Sequence, residues 1–141
     1  MMKRVLEYWL LPLAWMGLIF FLSAQPDLPH APGPWLDALL KKTGHAVAYG
    51  VLAWFYLRAL RQYFGDDRST LTVLRIVSFG LAVAYALSDE YHQTFVPGRN
   101  GNLFDVTVDG IGACAAMLLD RWLVYRRSLS GSGPRPASAA R

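Results

Sequence analysis

The chain has 141 residues, 54% of them hydrophobic and only 17% charged, with a mean hydropathy of +0.25 and a formal net charge of +4. Soluble domains average about 25% charged residues, so the composition argues against a small water-soluble bundle. The single cysteine, Cys114, rules out an intrachain disulfide framework. The basic residues lack aromatic interleaving, which speaks against a nucleic-acid partner and suits contact with anionic lipid headgroups.

Four apolar windows follow in chain order. Tyr8 to Pro26 carries no charge. Thr43 to Leu57 is uncharged but holds His45, Leu71 to Ser88 has one charge at Arg75, and Val106 to Leu119 has one at Asp109. A spanning helix needs about 20 residues. The first window meets this outright; the others do so once Lys42, Arg58, Arg75 and Arg121 snorkel to the headgroups. The pattern predicts an all-α membrane protein, a small bundle of four transmembrane helices near 5–24, 43–61, 71–90 and 104–125. Lys3 and Arg4 would suit a cleaved leader, but Leu22 is a poor residue for a small-residue cleavage site and the apolar run is long for one.

Loop charge sets orientation. With both termini inside, eleven of the fourteen basic residues fall on the cytoplasmic side, and only Lys41, Lys42 and Arg99 fall outside. The expected protein is therefore multi-pass in the cytoplasmic (inner) membrane, N-in and C-in, with one transmembrane domain over 1–127. A tail over 128–141, rich in Ser, Gly, Pro, Ala and Arg, is expected to be disordered and cytoplasmic. The loop after the first helix holds four prolines between Pro26 and Trp35 and cannot be helical throughout. Trp35 and Leu36 suit an interfacial anchor.

The polar residues concentrate on the outer side. Thr43 reads as the N-cap of the second helix. His45 lies inside an apolar run, as a structural hydrogen-bonder or as a ligand or base, with Tyr49 one turn on. Asp89 and Glu90 end the third helix. Adjacent helical side chains diverge by about 100°, so one of the pair is expected to face the bundle and the other water, with Gln93 sharing the Asp89 face. Pro97-Gly98-Arg99-Asn100-Gly101-Asn102 has turn composition and fixes Arg99 in place. That arginine either pairs with Asp89, Glu90, Asp105 or Asp109, or presents its planar fork to an anionic headgroup. Asp105 suits the positive end of the fourth helix. Asp109, one turn deeper, needs a partner, His45 or Arg99. Gly112 and Ala116 form a small-residue stripe that lets another helix approach and bring that partner in.

Nucleotide-loop, zinc-protease, CxxC and nucleophile-elbow motifs do not occur. Catalytic residues are not assignable from these residues, and no cofactor and no resident metal is expected. Two functions remain open. One is a binding protein of the envelope that takes an anionic lipid or a lipid-linked cell-wall precursor through the cluster Lys42, His45, Tyr49, Asp89, Glu90, Gln93, Arg99, Asp105 and Asp109. The other is a membrane enzyme on a lipid-linked phosphate, with His45 as acid/base, Asp89 or Glu90 as its partner or a metal ligand, and Arg99 on phosphate; three acids and one or two histidines would then hold a divalent ion.

SAQPD at 23–27, KKTGHAVAYGVLA at 41–53 and SDEYHQTFVPGRNGNLFDVTVDGIGA at 88–113 together resemble the VanZ-like family of small bacterial membrane proteins. The resemblance extends over roughly residues 5–125. Its pattern falls on Lys42, Gly44, His45, Tyr49, Asp89, Glu90, Gln93, Pro97, Gly98, Arg99, Asp105, Asp109 and Gly112. It implies an envelope protein, and it carries the family's association with resistance to the glycopeptide teicoplanin.

Overall fold

The computed structural model describes residues 2–26, 32–99 and 101–130, with only the backbone described at 2–6. It holds four helices, α1 (Met2–Ser23), α2 (Pro34–Phe64), α3 (Arg68–Gln93) and α4 (Leu103–Ser130), and no strand among the described residues. The helices alternate in direction, so that Ser23, the start of α2, Gln93 and Leu103 meet at one end of the bundle.

Each helix starts before its apolar window, and α2, α3 and α4 also run past its end. The largest difference is at α2, expected near 43 and observed from Pro34. Gly33 is its N-cap and Pro34 occupies the first turn, where a missing N–H does no harm. Thr43 is therefore inside the helix and caps nothing. α3 is capped by a residue the sequence reading did not name: the Asp67 carboxylate accepts from the Thr70 N–H at 3.0 Å and the Ser69 hydroxyl at 2.9 Å. Hydrogen bonds from Thr70 and Ser69 hold that exposed carboxyl below the usual aspartate value. α4 continues through Ser130, past the expected boundary at 127, and residues 131–141 of the expected tail lie outside the described residues.

By length and composition, one helix among the described residues, α3, is long and apolar enough to cross a membrane by itself; Glu7–Ser23 is a shorter apolar stretch. The first window was expected to qualify most readily; of the helix formed there, the part described with side chains is Glu7–Ser23.

α2 lies at the centre and touches all three other helices, while α1 packs on α2 and α3. The Trp15 indole donates to the Ala48 carbonyl at 2.9 Å, and the Tyr85 hydroxyl to the Met16 carbonyl at 2.7 Å, tying α1 to its neighbours. The core is formed by Tyr49, Leu52, Ala53, Tyr56 and Leu57 of α2 with Ala82, Ala86, Ala113 and Met117. Polar groups are buried with it: Ser23, Ser78, Asp89, Glu90, Gln93, Asp109 and Asp120. Large apolar side chains point outward instead, among them Leu10, Leu13 and Phe21 on α1, Val73 and Ile76 on α3, and Ile111 and Leu118 on α4.

Two ionic clusters lie in this interior. At the end opposite Ser23, the Asp120 carboxylate takes Arg61 Nη2 at 2.7 Å and Arg75 Nε at 2.8 Å, joining α2, α3 and α4. Arg75 is thus an ion-pair member and does not snorkel, because a buried carboxylate lies within its reach.

α2 and α4 cross at their small residues. A Cβ added to Gly50 would sit 2.9 Å from the Gly112 carbonyl oxygen, and one added to Gly112 would run into the Ala46 backbone. The backbones themselves are in contact, which only glycine permits. Gly112→Ala is expected to lower stability in detergent by about 1–3 kcal/mol, as overpacking does. Gly80→Ala, whose new Cβ meets nothing within 4 Å, should leave stability unchanged or raise it by up to about 1 kcal/mol. Denaturant unfolding of both variants checks the contrast.

Candidate functional site

The site forms where the four helix ends meet, and the α2–α4 crossing sets its deepest part. Ala46 and Gly112 touch, so His45, one residue before Ala46, faces Asp109, one turn before Gly112. His45 Nδ1 stands 3.3 Å from Asp109 Oδ1. The distance is within ion-pair reach but is not aligned as a hydrogen bond, and neither Asp109 oxygen accepts one among the described residues. Asp109 is 1% exposed. Tyr49, one turn along α2, is buried with its ring centroid 6.4 Å from the His45 ring, and its hydroxyl has no hydrogen-bond partner among the described residues.

The last turn of α3 provides the second layer. Asp89 and Glu90 are 3% and 4% exposed. The expectation that one of them would meet water fails, because α1 covers one side of this turn and the entry to α4 covers the other. Asp89 Oδ2 accepts from Ser23 Oγ at 2.6 Å and from Gln93 Nε2 at 3.1 Å. Glu90 Oε1 lies 3.3 Å from the same amide nitrogen, and Glu90 Oε2 accepts from the Asn102 N–H at 2.7 Å. The Gln93 side chain thus bridges two acids that helix geometry alone would splay apart.

The turn after α3 makes this closure possible. Arg99 N donates to the Val96 carbonyl at 3.1 Å, with Pro97 and Gly98 between them and Gly98 at φ +80°, the pattern of a type II turn. A side chain at Gly101 would collide with the Glu90 carbonyl and with the Thr94 methyl at 2.7 Å. Asn102 then caps α4, its Oδ1 accepting from the Phe104 N–H at 2.9 Å.

The cations of this end are already engaged. Lys42 pairs with Asp105 and lies 4.7 Å from the Phe104 ring centroid, and Lys41 lies 2.7 Å from Asp37. Arg99 pairs with none of the four acids considered for it. Its Nε donates to the Gln25 carbonyl and its Nη2 to the Leu22 carbonyl, both at 3.1 Å, adding to the 3.2 Å bond that Leu22 accepts from the Gln25 N–H and tying down the end of α1.

Two cavities open here. One, about 240 Å³, is mostly apolar and lies between α1 and α2, lined by Ile19, Leu22, Leu40, Ala48 and Tyr49, with Lys41, His45 and Arg99 at its polar end. The other, about 280 Å³, is polar and is lined by Asp37, Lys41, Lys42, His45, Gln93, Arg99 and Asp105. Lys41, His45 and Arg99 border both. The arrangement places a chamber lined by charged residues beside an apolar slot, with three residues in common.

All nine expected residues lie at this end of the bundle, in four groups: His45 with Asp109 beside Tyr49, the Asp89–Glu90–Gln93 set, Lys42 with Asp105, and Arg99 on α1. One ligand atom each from His45, Glu90 and Asp109 lies within 4.8 Å of the others, a set able to hold a metal ion. His92 stands apart, its ring 4.5 Å from that of Phe20. Sequence reasoning missed Ser23 as a donor to Asp89, and Asn102. It also missed Asp120, although its spacing from Asp109, about three full turns, places both acids on one face of α4.

The Arg99→Lys variant, which cannot span two carbonyls with a planar fork, is expected to loosen the end of α1. Loss of one such bond weakens local stability by about 1 kcal/mol. Amide exchange over residues 21–26 should therefore accelerate roughly fivefold, while exchange in the α2–α4 crossing stays unchanged.

No curated protein and no solved structure matches the chain. A sequence model of the VanZ/LLP1 family matches residues 8–124, which takes in α2 and α3, most of α1 and α4, and every residue of the site described above. The chain belongs to the VanZ/LLP1 family.

Proposed function

We propose that this protein is a four-span protein of the bacterial cytoplasmic membrane, with both termini inside, and that it binds an anionic lipid or a lipid-linked cell-wall precursor at the outer face. The observation that carries this reading is the chamber of charged residues beside the apolar slot between α1 and α2, with His45, Lys41 and Arg99 bordering both. An anionic amphiphile has the matching shape: a phosphate for the chamber and a chain for the slot.

The membrane setting is supported by the inversion of the usual pattern, with buried carboxylates and an apolar exterior. In water such a surface would aggregate; in lipid it is the surface expected, and buried acids near hydrocarbon depth mark function. The one helix able to cross unaided and the concentration of basic residues at the opposite end fit the same picture. Holding a surface lipid or wall precursor would alter what glycopeptides such as teicoplanin reach, consistent with the family's association.

A second reading, a membrane enzyme on a lipid-linked phosphate, draws on the His45–Asp109 pair at the junction of the cavities. A carboxylate beside Nδ1 orients an imidazole for acid/base work. Asp89→Asn and Glu90→Gln would abolish such an enzyme and leave binding by shape largely in place.

Lipid retained through detergent purification, identified by mass spectrometry, tests binding. The wild type is expected to carry an anionic lipid in near-stoichiometric amount. Gly44→Leu adds bulk where nothing lies within 4 Å of the new Cβ, and it should obstruct the slot and cut retention about tenfold, some 1.4 kcal/mol. Arg99→Ala should do the same. Equal retention in all three proteins, or neutral lipid only, contradicts the proposal.

A further inference from the structure

The geometry points to a divalent metal site of the Zn2+ class at His45, Glu90 and Asp109, one ligand from each of α2, α3 and α4. This inference rests on the cluster itself and does not require the lipid reading.

Three observations converge. First, the ligand atoms are gathered within 4.8 Å of one another. Zn–N and Zn–O bonds of about 2.1 Å place neighbouring ligand atoms of a tetrahedron about 3.4 Å apart, close to the 3.3 Å already present between His45 Nδ1 and Asp109 Oδ1.

Second, the buried acceptors lack hydrogen bonds. Both Asp109 oxygens and one Asp89 oxygen lack a hydrogen-bond partner among the described residues, and so does His45 Nδ1. A buried carboxylate whose charged neighbour is one unaligned imidazole is costly. A dication answers it: two carboxylates neutralise the ion, and the imidazole supplies a neutral third ligand. The nearby cations do not take that role, since Lys42 is drawn to Asp105 and Arg99 to the carbonyls of α1.

Third, the Glu90 carboxylate is held in place by neighbours. The Asn102 N–H and the Gln93 amide fix it, as supporting hydrogen bonds orient ligands in established metal sites. Mixed imidazole and carboxylate donors favour Zn2+ over Mg2+ or Ca2+, which prefer oxygen alone. A fourth position would face the polar chamber that His45 borders, open to water or a phosphate oxygen.

The test uses the full chain in detergent, stripped with chelator and dialysed against Zn2+ without added lipid. The wild type should take up one Zn2+ per chain by elemental analysis, and Co2+ in its place should give the intense visible bands of a tetrahedral site. Asp109→Asn, close to isosteric, and His45→Gln should each weaken Zn2+ binding at least tenfold. Asp66→Asn, which alters an exposed acid at the other end of the bundle, should leave it unchanged. Wild-type protein that takes up no Zn2+, or an Asp66→Asn loss equal to that of Asp109→Asn, overturns the inference. Lipid retention is measured separately, so failure of either result leaves the other standing.

Discussion

The contact of the α2 backbone with the α4 backbone, Ala46 and Gly50 against Gly112, is the constraint on which the rest of the structure depends. Helices that carry side chains at their crossing lie 8–10 Å apart; here the absence of a side chain at Gly112 lets peptide groups touch. That closeness puts an imidazole from one helix against a carboxylate from the other, in an interior where either alone would be unfavourable. With α2 fixed to α4, α3 closes over them and brings Asp89 and Glu90 to the same place.

The bundle is pinned at its two ends by charge and along its middle by apolar packing. Asp120 with Arg61 and Arg75 forms a paired and hydrogen-bonded cluster, the condition under which buried charge is tolerated. The cluster around Asp109 is different: it is rich in acids, and several acceptors lack partners. Buried polar atoms without a hydrogen bond occur at both ends, Arg61 Nε and Arg75 Nη2 at one and the Asp109 oxygens at the other, but two cations face one carboxylate at the Asp120 end, whereas acids predominate around Asp109. That difference in charge is the ground for proposing function at the end where Ser23, Gln93 and Leu103 meet.

Much of this was legible in sequence, for identifiable reasons. The four helices followed from apolar windows, and the need of Asp109 for a partner, His45 or Arg99, from an isolated charge beside a small-residue stripe; the structure places His45 there. The start of α2 was misplaced because Lys41 and Lys42 looked like a boundary, whereas Pro34 carried the better signal. The burial of both Asp89 and Glu90 was not legible. The divergence of adjacent side chains predicts one buried residue when a helix has one covered face, and here two faces are covered, by Ser23 and by the Asn102 turn. The target of Arg99 was hidden for a further reason: it is backbone, and every helix end exposes carbonyls regardless of sequence.

The direct test of the central claim is a double-mutant cycle between His45 and Asp109, each changed to alanine, followed by unfolding in metal-free detergent. Residues brought together by the α2–α4 crossing should show a coupling free energy of about 0.5–3 kcal/mol. Effects that add within about 0.5 kcal/mol would mean that the two side chains do not meet, and the site as described would not exist.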